Sequence, residues 1–120
     1  MIHTQNEGIY HALLAQLDKL ERHNRQGSYK TRQRYYEAMQ RFCKFLADVY
    51  HLQKLANISG KHLVAYVRHL QENGKAASTI KTELAAIRFW HDKLGEAKYK
   101  LPSNGDLADQ APLERRKLQG

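Results

Sequence analysis

A single cysteine stands among 120 residues, so no disulfide can close within the chain and nothing ties it to an oxidising compartment. No apolar run approaches the roughly 18 residues of a membrane span. The opening Met1-Ile2-His3-Thr4-Gln5-Asn6-Glu7 also lacks the basic and then apolar order of a secretory leader. A cytoplasmic chain without a membrane partner is expected. β-Branched aliphatics are scarce, with 3 Val and 5 Ile against 15 Leu and 13 Ala, a bias toward residues that keep their rotamer freedom in helices. An all-α fold is expected from that bias. Negative charge is short too: 12 Asp and Glu face 20 Lys and Arg, for a formal charge of +8. Such a chain repels its own copies and attracts polyanions, whether nucleic acid, an anionic membrane surface or an acidic protein. The 42% of hydrophobic residues suffices for a core, and the length leaves room for one domain. The mean hydropathy of −0.74 marks a wet surface.

Four amphipathic segments organise the chain. Thr4-Gln5-Asn6-Glu7 reads as a capping box opening the first helix, with Ile9, Leu13, Leu17 and Leu20 on its inner face and Gly27 ending the region. Ser28 can cap a second helix running from about Tyr29 to Tyr50. Its apolar stripe is Tyr35, Met39, Phe42, Leu46 and Val49; its polar stripe is Lys30, Arg34, Glu37, Arg41, Lys44 and Asp48. Ser59 can cap a third helix, with Ile58 stapled onto Leu63, a buried stripe of Leu63, Tyr66, Val67 and Leu70, and Gly74 as its stop. Ser78 is the expected cap of a fourth, whose inner positions are Ile80, Leu84, Ile87, His91 and Leu94, broadened by Phe89 and Trp90, until Gly95. Beyond it, Leu101-Pro102, Asn104-Gly105 and the segment from Pro112 with Arg115-Arg116-Lys117 read as a linker.

Catalytic signatures are missing. The 7 His form no His-x-x-x-His or His-Glu-x-x-His pair, and His62 and His69 lie two turns apart. Cys43, one residue from an apolar stripe, reads as a small core hydrophobe. Carboxylates such as Glu37, between Arg34 and Arg41, suit surface ion pairs better than acid and base chemistry. Neither a phosphate loop nor a Gly-x-Ser-x-Gly elbow appears.

Charge is more informative. Between Arg25 and Lys44 stand Arg25, Lys30, Arg32, Arg34, Arg41 and Lys44 against Glu37 alone. One sixth of the chain thus holds most of its excess charge. The plain reading of such a stripe is a solvated helix face. Around Ser28, Tyr29, Lys30, Thr31, Arg32 and Arg34, however, helical NH groups, hydroxyls and cations meet at a helix start, and these groups hold phosphate. Ser78-Thr79-Ile80-Lys81-Thr82 repeats the combination, although capping alone accounts equally well for Ser78 or Thr79. The expectation is that the two starts share one face and grip neighbouring phosphates at a major groove.

Two segments resemble the core-binding domain of tyrosine recombinases, the phage and transposon integrase family. The first is Ser28-Tyr29-Lys30-Thr31-Arg32-Gln33-Arg34-Tyr35 with Arg41-Phe42 and Phe45-Leu46; the second is Ser78-Thr79-Ile80-Lys81-Thr82-Glu83-Leu84-Ala85-Ala86-Ile87-Arg88-Phe89. Ile58 to Gly74 fits the intervening helix. Leu101-Pro102-Ser103-Asn104 and Leu113-Glu114-Arg115-Arg116 look like the connector that leads toward a catalytic domain. The resemblance implies a compact orthogonal bundle of four to five helices, described as SAM-like, that docks on one side of duplex DNA. It divides the chain into a helical DNA-binding domain, 1–100, and a connector, 101–120. Carried over position by position, it nominates Lys30, Thr31, Arg32, Gln33, Arg34, Ser78, Lys81 and Thr82 as DNA-binding residues. Arg88 stands too far along its helix to reach a groove.

Strand exchange in that family uses an Arg, Lys, His-x-x-Arg constellation and a nucleophilic Tyr, and no segment here matches them. Tyr35, Tyr36 and Tyr66 fall on or beside apolar stripes. The expectation is a non-catalytic piece of a bacterial, DNA-associated protein, with no catalytic residues, cofactor, metal or small-molecule substrate. Its expected partners are double-stranded DNA and further recombinase protomers on that DNA. The alternative expectation is a helical interaction or regulatory module that pairs with a full-length recombinase.

Overall fold

The computed structural model describes residues 7–23 and 28–108; the expected Thr4 cap, Arg25, Gly27 and the segment from Pro112 with Arg115-Arg116-Lys117 lie outside them. Five α-helices follow one another: α1 (Glu7–His23), α2 (Tyr29–Phe45), α3 (Gly60–Glu72), α4 (Ala77–Asp92) and α5 (Asn104–Ala108). A π turn, Leu46–Tyr50, extends α2, and a 3-10 turn, Leu55–Asn57, precedes α3. No strand occurs among the described residues, and the fold is all-α as expected.

Local signals set most of the helix ends. The Ser28 hydroxyl accepts from the Thr31 amide at 3.1 Å and caps α2. At α3 the Ser59 amide donates to His62 Nδ1 at 2.9 Å, so a histidine fills the place usually held by Glu or Gln in a capping box. Gly74 closes α3 at φ 77°, while the Lys75 amide reaches the Leu70 carbonyl and the Gly74 amide that of Gln71. This is the six-to-one and five-to-two pairing that satisfies the last carbonyls of a helix. Because that turn leaves Ala76 extended, α4 starts at Ala77. Ser78 therefore stands inside the first turn and is not the cap.

The expected stripes form the core. Leu13 and Leu17 of α1, Met39, Phe42 and Leu46 of α2 and its extension, Leu63, Tyr66, Val67 and Leu70 of α3, and Ile80, Leu84, Ile87 and Trp90 of α4 are buried together. Ile58 and Leu63, the expected staple, are both fully buried. Val49 departs from expectation and is 56% exposed. The π turn adds a residue to the winding and rotates position 49 off the stripe, and His51, at φ 52°, then ends it. Cys43 is a core residue, its thiol pushed up to about 12 by burial.

Helix α2 packs most closely on α4. Tyr35 meets Phe89, their rings 5.3 Å apart, and Arg41 meets Glu83. Midway in sequence between these contacts fall Ala38 and Ala86, both buried. The two contacts run in opposite order along the helices. Helix α1 lies against α2 and is tied to the chain before α3 by Gln16, which donates to the Gln53 carbonyl at 2.8 Å and accepts from the Leu55 amide at 2.9 Å.

The segment read as a connector belongs in part to the packed body. Leu107 is fully buried, and Pro102 seats within 3.4 Å of where a Cβ on Gly60 would stand. Arg88 donates through Nε and Nη2 to the Pro102 carbonyl, at 3.2 and 2.8 Å. A linker composition concealed these contacts because Leu107 supplies the core with one side chain, too little to make a periodic pattern.

Candidate nucleic-acid interface

Helix α2 carries the cations. Lys30, Thr31, Gln33 and Arg34 are exposed on its first two turns, and Arg41 follows two turns after Arg34 on the same stripe. Gln33 donates to Glu37 at 3.2 Å, so Glu37 is engaged along its own helix. Arg41 also pairs across helices: its Nη2 lies 2.6 Å from Glu83 Oε2.

Arg32 goes elsewhere. Two residues from Arg34 is about 200° around a helix, which turns Arg32 onto α1. There its Nη1 lies 3.2 Å from Glu21 Oε2 with only 16% of its side chain exposed, so its charge is matched inside the bundle. Tyr36, one turn on, donates to Asp18 of α1. Burial and that hydrogen bond push the Tyr36 hydroxyl far above its ordinary pKa. Tyr66 is pushed up likewise, by burial and by Glu83. Both phenols serve the bundle as donors to carboxylates of neighbouring helices, Asp18 and Glu83.

At the start of α4, Ser78, Lys81 and Thr82 are exposed. The Thr82 hydroxyl donates to the Ser78 carbonyl at 3.1 Å, while the Ser78 hydroxyl is not used as a cap. Lys81 lies seven residues before Arg88, on the stripe that faces Pro102, whereas Ser78 and Thr82 share the stripe of Phe89. Burial lowers the Arg88 pKa, and its bonds to Pro102 give this cation a structural task.

Because Tyr35 meets Phe89 and Arg41 meets Glu83, the start of α2 stands nearest the end of α4, and the start of α4 lies toward Arg41. Two further cations stand near these ends. Arg41, which the sequence places on the polar stripe, is brought toward the start of α4 by its bond to Glu83. Lys93 sits 4.9 Å over the Phe89 ring and so lies near the start of α2 through the Tyr35 contact. Both placements depend on how α2 meets α4, which no periodicity reveals.

Among the described residues no three His, Cys, Asp or Glu side chains converge as metal ligands, and no helix is long and apolar enough to cross a membrane. His62 serves its cap and His91 is buried on α4. Burial lowers the pKa of both.

Residues 17–98 match the family described as Phage integrase, N-terminal SAM-like domain. The chain belongs to that family. The match spans the described helices from the second half of α1 through α4 and includes both helix starts. No curated protein and no solved structure matches the chain. The integrase domain accounts for the all-helical bundle, and the match is to the N-terminal domain of that family.

Proposed function

We propose that this integrase domain binds duplex DNA as the core-binding part of a site-specific tyrosine recombinase, positioning DNA for integration and recombination without supplying catalytic residues. The observation that carries the reading is the exposed cationic stripe of α2, Lys30, Arg34 and Arg41, which stays outside the bundle while Arg32 is drawn in. Thr31, Gln33, Ser78, Lys81 and Thr82 supply hydroxyl, amide and cationic contacts beside it. The residues beyond α5 lead toward a catalytic domain, and further protomers share the DNA. Its setting is the cytoplasm of a bacterial cell, and the chain needs no cofactor.

Binding to a fluorescent duplex, followed by anisotropy from 50 to 300 mM salt, tests this reading. Each neutralised phosphate steepens the fall of log K against log salt by ~0.9, so four contacts give a slope of about −3.6. Absence of binding at low salt, or a flat salt dependence, refutes it.

The alternative, pairing with a full-length recombinase, draws on an open groove of about 880 Å³ between α1 and the segments 53–56 and 94–98, where Ile9, Ala12, Leu20 and Leu94 provide apolar lining. Co-purification with a recombinase from nuclease-treated extract, together with absence of DNA binding, decides for that reading.

A further inference from the structure

Among the described residues Glu83 is the one buried acidic side chain, with 4% of the residue exposed. A carboxylate taken from water is costly unless both oxygens are engaged. Here both are: Oε2 accepts from Arg41 at 2.6 Å, and Oε1 accepts from the Tyr66 hydroxyl at 3.0 Å. Tyr66 is itself fixed, its ring packed on those of Phe42 and Phe45. Three helices thus meet at one carboxylate, α3 through Tyr66, α4 through Glu83 and α2 through Arg41.

Arg41 differs from the other two members of this cluster. Its side chain is 58% exposed, whereas that of Glu83 is 6% exposed. A guanidinium has five N–H donors in a rigid fork, so one edge can rest on Glu83 while another faces solvent. The arrangement holds a long side chain in one orientation beside the start of α4. Arg34 and Lys30 precede it on the same stripe. Pre-ordering of this kind removes part of the entropy that a free Arg side chain loses on binding a phosphate.

We infer that Arg41 is a phosphate-binding residue of the DNA interface and that Glu83, fixed by Tyr66, is the positioning residue that aims it. The inference rests on the DNA-binding reading above. It makes the buried ion pair part of recognition, carrying the α2 stripe across to the hydroxyls of Ser78 and Thr82. Charge counting by itself predicts the reverse for Glu83, because removing a carboxylate adds one positive charge and strengthens attraction to DNA.

The test is anisotropy on a duplex with wild type, Arg41→Ala, Glu83→Gln and the double variant, each checked for native helicity by circular dichroism. Arg41→Ala is expected to weaken binding about tenfold near 100 mM salt and to reduce the salt slope by ~0.9, the loss of one phosphate contact. Glu83→Gln is expected to weaken binding about threefold despite its added charge, because a neutral Gln carbonyl holds the guanidinium less firmly than a carboxylate. In the Arg41→Ala background the loss caused by Glu83→Gln should vanish, which shows that Glu83 acts through Arg41. Should Glu83→Gln fail to fold, Tyr66→Phe, which removes the hydroxyl and keeps the ring, takes its place in the cycle. Wild-type affinity in Arg41→Ala, tighter binding by Glu83→Gln, or an undiminished Glu83→Gln loss in the double variant overturns the inference. Failure of the wild type to bind any duplex overturns the DNA-binding reading and this inference with it.

Discussion

Arg32 and Arg34 are two residues apart, carry the same charge and stand in the same motif, yet the structure gives them separate tasks. Arg32 is 16% exposed and lies 3.2 Å from Glu21, itself 27% exposed. At that range the Coulomb attraction is worth ~5 kcal/mol for an effective dielectric of 20, and partial removal of both groups from water offsets much of it. A net contribution of ~1–2 kcal/mol remains, including that of the guanidinium set over the Tyr29 ring. Arg32→Ala should therefore lower the melting temperature by about 4–8 °C at ~4 °C per kcal/mol, while DNA affinity stays within twofold. Arg34→Ala should do the opposite: its side chain is exposed, so stability moves by less than ~0.5 kcal/mol while the salt slope falls by ~0.9. Differential scanning fluorimetry and duplex anisotropy on the two variants read both quantities. If Arg32→Ala reduces the salt slope as Arg34→Ala does and leaves the melting temperature unchanged, assignment of the two arginines by helix face is refuted.

Gly74→Ala should cost ~1 kcal/mol in urea unfolding, because φ is 77° there and a Cβ would meet no neighbour, so the penalty is conformational; unchanged stability would remove the αL turn from the account. His62 and His91 have pKa values lowered by burial, so the folded state holds them neutral while the unfolded chain protonates near 6.5. Their contribution is intact above that pH and is lost as pH falls below it, by at most ~1.4 kcal/mol per pH unit for each histidine. Chemical denaturation at pH 7.5 and 5.5 reads the loss, and equal or greater stability at pH 5.5 contradicts it. The Cys43 thiol, pushed up to about 12 by burial, should stay unreactive toward a disulfide reagent at pH 8 until denaturant is added. Rapid labelling of the native protein would show that the core opens at α2.

The sequence by itself determined the helices, most of their ends and the inner stripes, because each depends on neighbours three or four residues away. Ser28, Ser59 and Gly74 act within one turn of their own positions, and Leu13, Phe42, Leu63 and Leu84 follow the 3.6-residue period. Tertiary structure decided which cations remain available. Arg32 meets a carboxylate 11 residues away in α1, and Arg41 meets one 42 residues away in α4. The π turn that exposes Val49 and the burial of Leu107 are set in the same way by how elements meet. Periodicity says which side of a helix is wet, but the angle at which α2 and α4 cross decides what that side touches. For that reason Arg32 and Arg41, alike in charge and on one helix, meet carboxylates of different helices.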